Sequence, residues 1–275
     1  MKLCAVQPHM PDSITDSVRV ITRWIHKAAE SGADVVVFPE MMLTGYDIHL
    51  FELFKQQDWY ARVEAAFGVL GSIALEAEVS VFVGSPYRTS DGCYLNALVL
   101  LQAGETPVLA GGRSHIEEGV KKHWGFGEAQ DRTPIEIEDI AFGSLFCDES
   151  VHLNLTGGKG LEKSDVILWP AVTCSTKEDH KSVTKDNARE GAKMIAQYYG
   201  VPVIHANYIS YASQKQNEQT ATRGRTLGGS VVCDASGLVL DQASWTEEDL
   251  RSFEISRVDG MVVVTPMVEE HAFER

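Results

Sequence analysis

The sequence of 275 residues lacks any apolar run near the roughly 18 residues that a membrane-spanning helix needs, so no membrane span is expected. It lacks a CxxC pair and any Cys/His cluster at zinc-ligand spacing. Its five cysteines (Cys4, Cys93, Cys147, Cys174 and Cys233) are scattered, which argues for reduced thiols and a cytoplasmic location rather than a disulfide framework or a zinc site. It is short of positive charge: 24 Lys and Arg against 39 Asp and Glu leave a formal −15, which speaks against nucleic acid and anionic membranes as partners. The opening stretch MKLCAVQPHM has no apolar core of a secretion signal and reads as a first strand. No internal repeat, linker or low-complexity tract divides the chain, and one domain over 1–275 is expected. A chain of this length buries roughly 75% of the surface its unfolded form exposes, so its core needs no metal or disulfide to hold it.

What is present is an alternation of short β-branched runs with helix-length segments. Leu3 to Val6, Val35 to Phe38, Val79 to Gly84, Phe142 to Phe146, Val166 to Trp169 and Val201 to Ala206 read as strands. Asp16 to Ala29 places Val18, Ile21, Ile25 and Ala28 on one helical face. Residues 49 to 77 read mostly as helix, and Asn187 to Tyr199 as a further helix. Asn96 to Leu101 with Pro107 to Ala110, and Gly229 to Cys233 with Leu238 to Asp241, read as hairpins. The fold class expected is therefore α/β with mixed sheets. Residues 111 to 132 and 208 to 227 are glycine-rich, polar and long for connections, a common property of functional loops.

Chemistry is suggested where apolar strands run directly into polar residues. In VVVFPEMMLTGYD the strand stops at Pro39 and leaves Glu40 at its tip. A carboxylate at an apolar mouth can have a raised pKa and act as a general base; a turn or capping glutamate is the alternative. In FGSLFCDES the strand ends at Cys147, either a small core residue or a nucleophile held at an exposed tip. VILWPAVTC and VPVIHANYI end in the same way, the second with Asn207 after its strand.

Taken together and in order, these pieces resemble the nitrilase (carbon–nitrogen hydrolase) superfamily. The resemblance extends through AVQPHMPD, VVFPEMMLTGYD, YLNALVLL, FGSLFCDES, DVILWPA, NAREGAKMIAQYYGVPVIHAN and GGSVVCDASGLVL. It implies a four-layer αββα sandwich and a homodimer or larger assembly. It also implies a Cys147 thiolate that attacks a small amide, carbamoyl compound or nitrile, with Glu40 as general base, a cation and the backbone N–H after the cysteine on the developing oxyanion, and no cofactor or metal. A weakened relative acting as a binding or assembly protein, and an acyltransferase using an amine in place of water, are the alternatives.

One segment departs from the pattern. The family lysine stands in a Lys-x-His-Leu step followed by a second glutamate. Here the stretch is GGRSHIEEGVKKHWGFGEAQD, which sets Arg113 where the lysine is expected and Lys122 on or beside the accessory glutamate. Either Arg113 supplies the cation, or Lys122 reaches in from a new position, or the constellation is broken. Arg113, Lys121 and Lys122, with Arg223 and Arg225 further on, would favour a substrate bearing an anionic group if they line the pocket. Asp148 and Glu149 directly after Cys147 disfavour a thiolate unless they point away or a cation offsets them.

Overall fold

In the computed structural model, all residues are described except 47–51, 103, 117–124, 157, 179–181, 211–224 and 268–275. The apolar runs become strands buried on both faces. The larger sheet runs, edge to edge, through Met261–Pro266 (β16), Asp249–Val258 (β15), Lys2–Gln7 (β1), Val35–Val37 (β2), Ser80–Arg88 (β3), Tyr94–Leu101 (β4) and Val108–Gly112 (β5). The second sheet runs through Val239–Gln242 (β14), Val231–Cys233 (β13), Val203–Ala206 (β11), Val166–Pro170 (β8), Ile140–Ser144 (β7) and Ile135–Ile137 (β6). Each sheet has three parallel strands at its centre, β1, β2 and β3 in one and β7, β8 and β11 in the other, flanked by antiparallel partners.

Strand side chains alternate between two hydrophobic layers, as the two-residue period requires. Leu3 and Ala5 of β1 point between the sheets with Val35, Phe82, Phe142, Leu168, Ile204 and Phe253, whereas Cys4 and Val6 face the outer helices. Those helices are Ile14–Glu30 (α1) and Trp59–Glu76 (α2). Ser13 starts α1 by accepting from the Asp16 amide at 3.2 Å, and Val20, Ile21, Trp24, Ile25 and Ala28 form its buried stripe. On the far side, Ile167, Trp169, Val203 and Val231 meet Ala188, Ala192, Ile195 and Ala196 of Asn187–Tyr199 (α4), which follows the short helix Leu153–Thr156 (α3). Helix, sheet, sheet, helix is the four-layer αββα order of the nitrilase type.

Three local expectations change. The stretch read mostly as helix over 49–77 is mostly helical but interrupted: residues 52–54 are helical, the polar segment KQQD breaks the run, and α2 starts at Trp59. The strand expected to reach Phe146 stops at Ser144, and Cys147–Val151 forms a 3-10 turn. The Phe146 amide leaves the ladder to donate to Glu149 Oε2 at 2.8 Å. Finally, Ser175–Glu178 (β9), Ser182–Lys185 (β10) and Arg225–Thr226 (β12) form a small third sheet, which polar runs such as STKE and SVTK do not announce.

Candidate active site

The parallel strands of the two sheets deliver their C-terminal ends to one place, the usual location of ligand sites in open α/β sheets. Beyond β2, Phe38 still pairs with Phe82 (N to O, 2.9 Å), Pro39 ends the ladder, and the chain turns through Met41 at φ 55°. The turn fits because β3 has no side chain at Gly84: a methyl there would overlap the Pro39 carbonyl oxygen and the Met41 amide. Leu43 N donates to Gly84 O at 3.0 Å and Tyr208 Oη to Glu40 O at 2.8 Å, fixing the turn from two sides. Glu40 is thereby held fully buried. Its Oε1 accepts from Asn96 Nδ2 at 2.7 Å and from the Arg113 guanidinium at 3.3 Å, while Oε2 has no hydrogen-bond partner among the described residues. Burial pushes the carboxyl up to about 7 from its usual 4.5, against the pull of Arg113 and Asn96.

Cys147 follows β7 in a left-handed conformation, φ 43°, which costs a non-glycine residue roughly 1–3 kcal/mol and persists only where neighbours over-determine it. Here Trp169 Nε1 donates to the Cys147 carbonyl at 3.0 Å, and the Phe146 amide on the other side is held by Glu149. The turn sets the thiol beside Glu40, close enough for each to shift the other's titration, with Sγ 3.9 Å from Val172 O. Burial, then the Glu40 charge, push the thiol pKa up, and Arg113 opposes them. The resting pair is therefore a neutral thiol beside a carboxyl that titrates near neutrality.

Arg113 leaves the end of β5, 4% exposed, between two acids. Its Nη1 donates to Glu40, its Nη2 to Asp148 Oδ1, its Nε to His115 O at 2.9 Å, and Nη1 lies 3.5 Å from Tyr46 Oη. Burial opposes its charge, but the surrounding negative groups outweigh that and raise its pKa, so it stays a cation. The two acids after Cys147 thus do both things open to them. Asp148 is offset by Arg113, and Glu149 points away to a buried pair with Arg132 at 3.0 Å.

The structure therefore brings together Glu40, Cys147 and Arg113 from distant parts of the chain. Lys122 lies outside the described residues, as do Lys121 and Arg223; of Arg225 only the backbone is described. Sequence reasoning missed Asn96, Tyr46 and Tyr208. Asn96 carried a signal, being the one polar side chain inside YLNALVLL. Asn207 accepts from Thr173 N at 3.1 Å and donates to Thr173 O and Gly228 O, which makes it a clamp on the loop beyond β8. That loop walls a cavity of about 380 Å³ lined by Cys147, Trp169, Val172, Thr173, Lys185 and Met194, among others. Among the described residues, no cluster of three or more His, Cys, Asp or Glu could hold a metal ion, and no helix is long and apolar enough to cross a membrane.

The profile of the carbon–nitrogen hydrolase family matches residues 2–260. The chain belongs to that family. Curated relatives of the chain include a glutamine-dependent NAD(+) synthetase of Rhodobacter capsulatus, 23% identical over 93% of this chain and 43% of that protein. An arylacetonitrilase of Hypocrea virens is 22% identical over 78% of this chain and 67% of its own length. The chain thus spans less than half of the first of these relatives. Among solved structures, an amidase from Nesterenkonia sp. aligns with TM-score 0.68 at 16% identity, covering 97% of this chain and 90% of that one. A carbon-nitrogen hydrolase from Helicobacter pylori G27 aligns with TM-score 0.67 at 17% identity over 92% and 88% of the two chains. At these identities, the structural likeness speaks for the fold.

Proposed function

We propose that the protein hydrolyses a non-peptide C–N bond in a small amide through an acyl-enzyme on Cys147. The observation that carries this reading is the meeting of a thiol, a carboxyl raised to about 7 and a buried guanidinium at the converging strand ends. In the first step the thiol proton passes to Glu40 as sulfur bonds to the carbonyl carbon, and the carbonyl π pair becomes an oxyanion facing Arg113 and the Asp148 amide. The oxyanion collapses, the C–N bond breaks, and Glu40 returns its proton to the departing ammonia or amine. Water, giving a proton to Glu40, then attacks the thioester; the C–S bond breaks, a carboxylic acid leaves and the thiol is restored.

A carboxyl that titrates near neutrality suits this double duty as base and then acid. The amidase neighbour favours an amide over the nitrile that the arylacetonitrilase would suggest. Lys185 on the cavity rim makes no ion pair among the described residues and would receive an anionic end of the substrate; Glu190 on the same rim would repel a second one. A homodimer or larger assembly is part of the proposal, supported by Val151, Leu155, Met194 and Tyr198, apolar and at least 40% exposed around α3 and α4.

The test is intact-mass detection of an acyl adduct after incubation with a panel of small amides and nitriles, with products followed in parallel. An adduct that maps to Cys147, is absent from Cys147→Ala and is accompanied by free acid supports the reading; a thioimidate formed only with nitriles would move it to the nitrilase branch. No adduct and no product across the panel would sink it.

A further inference from the structure

Glu149 and Arg132 are both buried to within a few per cent, yet neither touches the thiol. Their hydrogen bonds run along a seam between the two halves of the site. Glu149 Oε1 accepts from the Ser114 amide at 2.8 Å, the Ser114 hydroxyl at 3.0 Å and the His115 amide at 3.0 Å. Its Oε2 accepts from the Phe146 amide at 2.8 Å and from Arg132 Nη2 at 3.0 Å. Arg132 Nη1 reaches Ser114 Oγ at 2.9 Å, Thr156 O at 3.2 Å and Glu149 Oε1 at 3.4 Å, and Nη2 reaches Ser144 O. One carboxylate therefore joins the residue before Cys147 to the two residues after Arg113.

The link continues to the cation. The His115 amide is held by Glu149, and the His115 carbonyl accepts from Arg113 Nε. That contact aims the remaining two guanidinium nitrogens at Glu40 and Asp148. We infer that Glu149 and Arg132 are positioning residues, setting the distance and aim of the Arg113 guanidinium relative to the Cys147 thiol. This rests on the proposed role of Cys147 as the reacting thiol. The chemistry explains why a carboxylate stands here. Both oxygens face only donors, so a glutamine amide in either orientation would set an NH2 group against backbone N–H groups. It also explains the second acid of CDES: Asp148 contacts Arg113 directly, and Glu149 places it.

The test reads the thiol without needing a substrate. The rate of Cys147 alkylation by iodoacetamide, resolved from the other four cysteines by peptide mass spectrometry, is followed against pH. It is measured in the parent, Glu149→Gln, Arg113→Ala and the double variant. The inference expects Glu149→Gln and Arg113→Ala each to slow alkylation about tenfold or more near pH 7 and to move the profile to higher pH. The double variant should be no slower than Arg113→Ala, because both act through one guanidinium. A Glu149→Gln variant that lowers Tm but keeps the parent profile overturns the inference, and so do effects that multiply in the double variant. Should Glu149→Gln not fold, Arg132→Lys and Ser114→Ala enter the same cycle under the same criteria. A parent with the expected profile that turns over no amide would count against the hydrolase reading alone.

Discussion

The protein buries two glutamates completely, each against an arginine, and puts them to opposite uses. Glu149 has every oxygen saturated by backbone amides, a hydroxyl and Arg132. Glu40 has one oxygen occupied by Asn96 and Arg113, no close donor on the other among the described residues, and the Cys147 thiol beside its carboxyl. Saturation stabilises a carboxylate and fixes what it holds; an incompletely bonded carboxyl beside a thiol is left able to take a proton. Burial raises the pKa of Glu40 to about 7, which in the proposed reaction makes it a base poised near neutral pH.

The sharpest way to break this comparison is to neutralise the incompletely bonded carboxylate. Glu40→Gln keeps the Asn96 side filled and should fold, yet lose about 10²–10⁴ in kcat/KM; a rate within a few-fold of the parent would mean the base lies elsewhere. Arg113→Ala comes next, with an expected loss of about 10²–10³, partly recovered in Arg113→Lys, which restores charge but not the planar fork. Full activity in Arg113→Ala would hand the cation's role to another residue, Lys122 first.

The third prediction concerns stability. Because the folded pKa of Glu40 stands above its usual value, its contribution to stability is present below about 4.5 and is lost as pH rises through about 7. The stability of Glu40→Gln relative to the parent should therefore climb between about pH 4.5 and 7, by something on the order of 3 kcal/mol over the full range, and level off above it. Paired denaturation curves giving a flat difference would show that the carboxyl is not raised. The smallest effect is expected from Asp148→Asn. Its negative charge helps to raise Glu40, so its removal should move the acidic limb of the pH–rate profile to lower pH; a shift upward would contradict that coupling.

The layers were legible because their physics is local. Helix α4 runs from Asn187 to Tyr199 as expected. Asp186 accepts from the Arg189 amide at its start, Gly200 takes a left-handed conformation at its end, and Ala188, Ala192, Ile195 and Ala196 make its stripe. The strand tips were legible for the same reason: an apolar run that stops at a proline or a cysteine has little choice of where to put the next polar residue. The third sheet was not, because its runs STKE and SVTK are polar and carry no apolar–polar alternation. Nor was the division of labour between Asp148 and Glu149. Adjacent acids look equivalent in a sequence, and only the fold sends one to Arg113 and the other to Arg132.

Trp169 gives the fold an optical handle. Its indole N–H is tied to the carbonyl of Cys147, its ring lies 4.2 Å from that of His205, and it is almost fully shielded from water. Burial drives the His205 pKa down to about 3, so that imidazole is an uncharged neighbour at ordinary pH and contributes a steady background. If Cys147 is loaded as proposed, a group on its sulfur that tugs at the adjoining peptide changes the electrical surroundings of this indole, so in a variant whose other four tryptophans are replaced by phenylalanine the loading should register in its light emission in real time.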